Sequence, residues 1–166
     1  MSGDREAILG ALKHALDHPD RHVDAPAARI AVHKVNLIPT RGAGGREAQI
    51  SRFTEEAEAV SATVARISSE MDLPTEIARY LSSQNLPAEI RIAPALNDVP
   101  WDLQPTLTVN DGPVLKTDTV GVNRAFAGVA ETGTVVFRSG PESPTTLNFL
   151  PLTHVAVLST KDLHGH

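Results

Sequence analysis

Apolar residues recur along much of the chain at helical spacing. Over residues 4–18 they return every three or four positions, which predicts an amphipathic helix that ends at Pro19. The same spacing predicts a helix over residues 45–61 and another over residues 74–81, where Pro74 suits the first helical turn. We therefore expect helices to make up much of the first half of the chain.

Short apolar runs between and after these helices predict strands. Residues 63–67 and 89–93 are rich in β-branched side chains, and residues 134–137 and 155–158 are continuous apolar runs typical of central strands covered on both faces. The connections are too long for hairpins, which favours crossover units. The predicted fold class is α/β, with a mainly parallel sheet flanked by helices and an N-terminal helical segment.

Irregular segments set the expected domain organisation. Residues 22–44 contain prolines and glycines with little periodicity, which predicts an extended surface arm, and residues 94–113 are expected to form a long loop. A chain of 166 residues is long enough for one core. We divide it into a helix and arm over residues 1–44 and an α/β domain over residues 45–166.

Composition narrows the classes of partner and cofactor. The net charge is -5 and the basic residues are dispersed among acidic ones, which argues against nucleic acid as a partner. There is no cysteine, so the chain has no disulfide, thiolate nucleophile or cysteine ligands for an iron–sulfur cluster. Without a signal-peptide pattern or a long apolar stretch, we expect a cytoplasmic protein with no membrane span.

The densest group of polar residues is Ala130-Glu-Thr-Gly-Thr134. The hydroxyls of Thr132 and Thr134 and the backbone at Gly133 are candidates for ligand binding, and Glu131 is a candidate general base. We expect an open recess here, at the rim of the parallel sheet. The alternative is that Gly133 makes a turn and the threonines satisfy nearby backbone groups.

A second group follows in the loop that begins at Ser139. Thr145 and Asn148 are candidate ligand-binding residues, as is Asn123 in the preceding apolar segment. His154 is a candidate acid–base group near neutral pH. Its alternative role is a local hydrogen bond at the start of a strand.

Two further patterns have features of binding sites. Residues His14, His18 and His22 are four apart, but Pro19 interrupts the helical spacing, and we predict no metal site. The sequence Arg41-Gly-Ala-Gly-Gly-Arg46 opens a helix and suits a phosphate or carboxylate, although a flexible joint explains it equally well.

Residues 120–137, which include Ala130-Glu-Thr-Gly-Thr134, together with Ser143-Pro-Thr-Thr-Leu-Asn-Phe-Leu-Pro151 and residues 154–157, resemble the LUD-domain family of lactate utilisation proteins, of the LutC type. Upstream pieces that fit are Phe53, Leu73-Pro74, Tyr80-Leu81, Leu86-Pro87 and Pro100-Trp101. The resemblance implies a NagB/RpiA/CoA-transferase-like fold. It also implies a role beside LutA-like and LutB-like iron–sulfur proteins in oxidising L-lactate to pyruvate, with the clusters on those partners.

The family pattern includes residues 131–134, Asn148, Pro151 and His154 without assigning them catalytic roles. Relatives usually continue with Gly-Pro-Ser-Arg-Thr-Ala-Asp-Ile-Glu and then His-Gly-Pro, where this sequence reads Leu163-His-Gly-His166. The resemblance therefore implies either an inactive or an incomplete version of the domain.

Three functional hypotheses follow. The first is a LutC-like component of a lactate-oxidising system, whose loops bind a small carboxylate, a cofactor or a partner. The second is a stand-alone transferase, isomerase or hydrolase that acts on a phosphorylated or CoA-linked small molecule, with Glu131 as nucleophile or base. The third is an interaction module that docks through its acidic surface and the arm at residues 22–44.

Overall fold

The computed structural model describes residues 2–16, 30–32 and 39–166. The chain divides into two compact units, Met1–Leu37 and Ile38–His166. The first contains helix α1 (Ser2–Leu16), which carries four exposed apolar side chains, Ile8, Leu9, Leu12 and Leu16. Residues 30–32 are also helical. The predicted end of α1 at Pro19 and most of the predicted arm lie outside the described residues.

The second unit contains two sheets and three helices. The helices are α2 (Arg46–Ala59), α3 (Leu73–Ser83) and α4 (Thr146–Phe149). The strands are β1 (Glu89–Ile92), β2 (Thr108–Asn110), β3 (Val120–Arg124), β4 (Ala127–Val129), β5 (Thr134–Val136), β6 (Thr153–Val157) and β7 (Leu163–His164).

The larger sheet has four parallel strands in the order β2-β1-β3-β6. In the longest pairing, Gly121 of β3 lies opposite His154 of β6, and Asn123 lies opposite Ala156. Because side chains alternate between the two faces of a strand, these four residues share one face of the sheet. This sheet, with its flanking helices, confirms the predicted α/β fold with a mainly parallel sheet.

Helix α3 covers the core of the larger sheet. Its residues Leu73, Ile77 and Leu81 recur at intervals of four and are all buried, which places them on one side of the helix. They pack in one cluster with buried strand residues such as Ile90 and Val120. Pro74 occupies the first helical turn, where its missing N–H leaves no hydrogen bond unmade.

The smaller sheet has the order β5-β4-β7. Strands β4 and β5 form an antiparallel hairpin, and β7 pairs parallel with β4. Gly128 lies in the middle of this sheet, and a Cβ atom there would approach Leu158 and Leu163 closely. The absence of a side chain at Gly128 therefore lets these two leucines pack on the hairpin.

Three strand predictions were wrong in detail. Residues 63–67 form no strand; they run irregularly and largely exposed, since no neighbouring strand pairs with them. Residues 134–137 were expected in a central strand of the main sheet, but β5 belongs to the smaller sheet and is partly exposed. Strand β6 is an edge strand rather than a central one, and β2 lies within the predicted loop at residues 94–113.

The segment before β6 leaves large apolar side chains exposed. Phe149, Leu150 and Leu152 all face solvent, and Leu152 is 92% exposed. None of the helices in the described part of the chain is both long and apolar enough to cross a membrane.

Candidate functional site

A buried amide network occupies the face of β3 that lies under α4. The side chain of Asn123 is fully buried, and its Nδ2 donates to Ser143 Oγ at 2.9 Å and to Asn148 Oδ1 at 2.8 Å. Ser143 Oγ donates in return to Asn123 Oδ1 at 3.1 Å. Strand β3 is thus joined through one side chain to the segment at residues 143–148, because a buried amide is stable only when its polar atoms are paired.

Gly121 allows α4 to approach the sheet closely enough for this network. A Cβ atom at Gly121 would lie 2.8 Å from the carbonyl oxygen of Leu147 and 2.8 Å from Cγ of Pro151. Leu147 is itself buried and anchors α4 against β3. The bare backbone of Gly121 therefore determines where Asn148 lies relative to Asn123.

Thr145 and Asn148 present polar groups on the outer side of the network. Thr145 immediately precedes α4 and is exposed, whereas Asn148 is half-buried. Residues three apart on a helical turn are neighbours, so the hydroxyl and the amide lie on the same side of α4. Together they can donate hydrogen bonds to a small molecule that carries carbonyl or carboxylate oxygens.

His154 lies on the same face of the sheet, in β6. Its Nε2 is buried without a hydrogen-bond partner among the described residues, and its ring centroid lies 5.0 Å from that of Phe137. Burial lowers the pKa of the His154 imidazole below its ordinary value. The ring is therefore neutral near pH 7, with one nitrogen able to accept a proton or a hydrogen bond.

Residues 131–134 lie apart from this network, in the turn between β4 and β5. Glu131 is 11% exposed and accepts a hydrogen bond from Arg41 Nη2 at 2.8 Å, while the hydroxyls of Thr132 and Thr134 are 2.7 Å apart and exposed. No hydrogen bond within residues 39–166 joins this turn to the Asn123 network.

The prediction of an open recess at Gly133 is wrong. Gly133 has φ +62°, a left-handed conformation that favours glycine, and it packs against α2. A Cβ atom there would lie 2.8 Å from the backbone nitrogen of Ala57. The turn closes an antiparallel hairpin in the smaller sheet, so it does not lie at the rim of the parallel sheet.

The Arg41–Arg46 segment holds the smaller sheet in place. Arg41 pairs with Glu131, and Arg46 donates to the carbonyl oxygen of Leu163. The backbones of Gly42 and Gly165 are so close that neither could carry a side chain without displacing the other. These contacts give Gly42 and the two arginines structural roles, without the phosphate or carboxylate that the pattern suggested.

A buried ion pair lies on the same face of the larger sheet, where Arg91 of β1 is opposite Gly121 of β3. Arg91 and Asp118 form a bidentate pair, at 2.8 Å and 3.0 Å, with side chains that are 9% and 7% exposed. The hydrogen bond from Arg91 holds the pKa of Asp118 below its ordinary value. A cavity of about 50 Å³ adjoins the pair, too small for a metabolite. We assign this pair a structural role.

The eight candidate residues thus fall into two groups. Asn123, Thr145, Asn148 and His154 surround the contact between α4 and the larger sheet, whereas residues 131–134 form the hairpin turn. Sequence reasoning missed Ser143. The available signal was Asn123 itself, because a polar residue inside an apolar strand needs a buried partner.

Metal ligands do not cluster in the part of the chain that the structure describes: no group of three or more His, Asp or Glu side chains there is placed to hold an ion. His14 is exposed on α1, and His18 and His22 lie outside the described residues.

Comparisons with known proteins agree with this architecture. Residues 114–166 match the family model of the LUD domain. The fold is similar to that of a DUF162 family protein from Deinococcus radiodurans, with a TM-score of 0.60 and 20% sequence identity over 73% of this chain and 74% of the other. A search of curated proteins found no match. The C-terminal third of this chain is thus similar to the LUD domain, and most of the chain has a fold similar to that of the DUF162 family protein.

Proposed function

We propose that this chain is a LutC-like component of a system that oxidises L-lactate to pyruvate, acting beside LutA-like and LutB-like iron–sulfur proteins in the cytoplasm. The observation that carries the proposal is the match of residues 114–166 to the LUD domain, because that segment contains all eight candidate site residues. The oxidation releases two electrons and two protons. The chain has no cysteine with which to hold a cluster that could accept those electrons, so the clusters belong to the partner proteins.

In this proposal the chain binds a small carboxylate at the outer side of the Asn123 network. Thr145 and Asn148 supply neutral donors for its oxygens. His154 supplies a neutral imidazole on the same face of the sheet. Support for this location comes from the buried hydrogen bonds behind Asn148, since a fixed side chain loses less freedom when a ligand binds.

Growth on L-lactate tests the proposed function. We expect a strain that lacks the gene to fail on L-lactate and to grow normally on a carbon source that bypasses lactate. Plasmid-borne wild-type chain should restore growth, whereas Asn148→Ala should restore it poorly. Asn97→Ala is the matched control, because Asn97 is exposed and its side chain has no hydrogen bond among the described residues. Undiminished growth and lactate oxidation in the deletion strain would reject the proposal.

A stand-alone enzyme that uses Glu131 is the main alternative. No observation favours it, because the Glu131 carboxylate is largely buried and already paired with Arg41. We therefore expect Glu131→Gln to retain growth on L-lactate. If a folded Glu131→Gln protein failed to support growth, the enzyme alternative would gain support.

Association with cluster-bearing proteins tests the partner assignment. Affinity capture of the tagged chain from cells grown on L-lactate should bring down proteins whose absorbance shows iron–sulfur clusters. Capture without any such protein would count against the partner assignment.

A further inference from the structure

We infer that Asn148 is the ligand-facing hydrogen-bond donor of the site, and that Asn123 and Ser143 are positioning residues that fix the orientation of its amide. The inference rests on the proposed function for the identity of the ligand, but the orientation itself follows from the hydrogen bonds alone.

Asn123 is fully buried and has no polar atom that a ligand can reach. Its Nδ2 carries two protons, of which one goes to Ser143 Oγ and the other to Asn148 Oδ1. Its Oδ1 accepts from Ser143, and the side chain is fully buried. Asn123 was predicted from sequence as a ligand-binding residue. The network gives it a different task, because its polar atoms are occupied by protein neighbours.

The reverse orientation of the Asn123 amide is disfavoured. If its oxygen and nitrogen exchanged places, the nitrogen would face Ser143 alone and its second N–H would have no acceptor. An unpaired N–H in a fully buried side chain carries the whole penalty of desolvation. The observed orientation is therefore the stable one, and it requires Asn148 to turn its oxygen inward.

Asn148 consequently turns its nitrogen outward. Its Oδ1 accepts a hydrogen bond from Asn123. Its Nδ2 makes no hydrogen bond within residues 39–166, and this nitrogen is not buried. Two N–H groups are thus held at an accessible position, three residues from the exposed Thr145 and on the same side of α4. Such donors recognise an oxygen acceptor, which in the proposed function belongs to a small 2-hydroxy or 2-oxo acid.

The neutral donors of the site predict weak binding. The donors that we assign to the ligand, the Asn148 amide and the Thr145 hydroxyl, are both neutral, and residues 139–160 contain no lysine or arginine. Hydrogen bonds between a neutral donor and a carboxylate lack the bidentate cation that makes arginine sites tight. We therefore expect the dissociation constant for such an anion to lie in the millimolar range. A dissociation constant of about 1 mM corresponds to a binding free energy of about -4 kcal/mol.

Side-chain amide exchange tests the orientation without any ligand. In nitrogen-15-labelled full-length chain, the Nδ2 protons of Asn123 should exchange slowly with water and those of Asn148 rapidly. Slow exchange at Asn148 would overturn the inference. On titration with L-lactate or pyruvate, we expect the Asn148 side-chain signal to shift more than that of Asn97, which serves as an exposed control.

Variants then separate a positioning role from simple loss of stability. Asn148→Ala should weaken binding of L-lactate about tenfold. Ser143→Ala should weaken the binding of L-lactate at least threefold, although Ser143 bonds to Asn123 and is not expected to touch the ligand. The same variant should speed the exchange of the Asn123 side-chain amide protons with water. Ser143→Thr keeps the hydroxyl and should restore both properties. All three are compared only where the circular dichroism spectrum is native.

The failure of the inference can be told from failure of the proposed function. If L-lactate shifts only residues 131–134, or binds Asn148→Ala as tightly as wild type, Asn148 does not face the ligand while the proposed function stands. The proposed function itself is decided by growth of the deletion strain.

Discussion

Substitution of Gly121 by alanine should displace α4 from the sheet. A Cβ atom at Gly121 would lie 2.8 Å from the Leu147 carbonyl oxygen and 3.3 Å from Cγ of Leu147. A comfortable separation between such atoms is about 3.4 Å or more, so the helix must retreat by about 0.6 Å. The two nearest atoms are this backbone oxygen and Cγ of the Pro151 ring, and neither can rotate away as a flexible side chain would.

The cost of that movement has two parts. Overpacking of this kind typically destabilises by about 1–3 kcal/mol. A retreat of about 0.6 Å also stretches the Asn123–Asn148 hydrogen bond beyond its useful range, which adds about 1 kcal/mol. We expect the free energy of unfolding to fall by about 2–4 kcal/mol in Gly121→Ala.

Urea denaturation followed by circular dichroism measures this difference. Gly140→Ala is the matched control, because a Cβ atom at Gly140 meets nothing within 4 Å and the backbone there does not have a positive φ. The control should be as stable as wild type or more stable by up to about 1 kcal/mol. If Gly121→Ala unfolds at the same urea concentration as wild type, α4 does not pack closely on β3 at Gly121. The explanation of how Asn148 is positioned would then also be wrong.

Three other predictions concern charged and titratable groups. Asp118→Asn should lower the free energy of unfolding by about 3 kcal/mol, because it removes the charged bidentate partner of the buried Arg91 side chain; a loss below about 1 kcal/mol in thermal or urea unfolding would contradict this. Glu70→Gln breaks the exposed pair with Arg124 and should change stability by less than about 1 kcal/mol, which makes it the control for Asp118. The pKa of His154 is lower in the folded protein than in the unfolded chain, so as the pH falls the unfolded chain takes up a proton at His154 before the folded protein does. The free energy of unfolding should therefore fall as the pH drops below about 6.5. His154→Gln should make the free energy of unfolding less dependent on pH in that range. An identical profile in the variant would show that His154 is not the group that titrates.

Strong periodicity was enough to predict α3. Its buried residues repeat at intervals of four, and Pro74 marks its first turn, so pattern and backbone chemistry agree. The segment at residues 63–67 shows the opposite case. Its β-branched residues favour extended backbone, but a strand also needs a partner, and local composition cannot say whether one is adjacent.

The prediction of a ligand-binding recess at the hairpin turn failed for a related reason. A glycine between threonines suits either a ligand-binding loop or a tight turn, and the two differ only in what packs against Gly133. That neighbour is α2, more than seventy residues earlier in the chain. Sequence spacing carries no information about this contact, whereas the positive φ of Gly133 and its approach to Ala57 make it plain in the structure.

The second group of candidates fared differently. Asn123 and Asn148, which lie 25 residues apart, were both singled out from sequence and are hydrogen-bonded in the structure. Their chemistry differs from the expectation, since Asn123 is used internally and only Asn148 has an amide nitrogen directed outward. The residue types identified two amides that the fold brings together, and the burial of Asn123 limits its hydrogen bonds to protein neighbours.

A crystal structure of the full chain grown with saturating L-lactate or pyruvate tests the central claim most directly. The account predicts that a carboxylate oxygen of the ligand lies within hydrogen-bonding distance of Asn148 Nδ2 and of the Thr145 hydroxyl. A ligand bound instead at the turn of residues 131–134 would contradict the account. So would the absence of a ligand at Asn148 in crystals when binding is measured in solution.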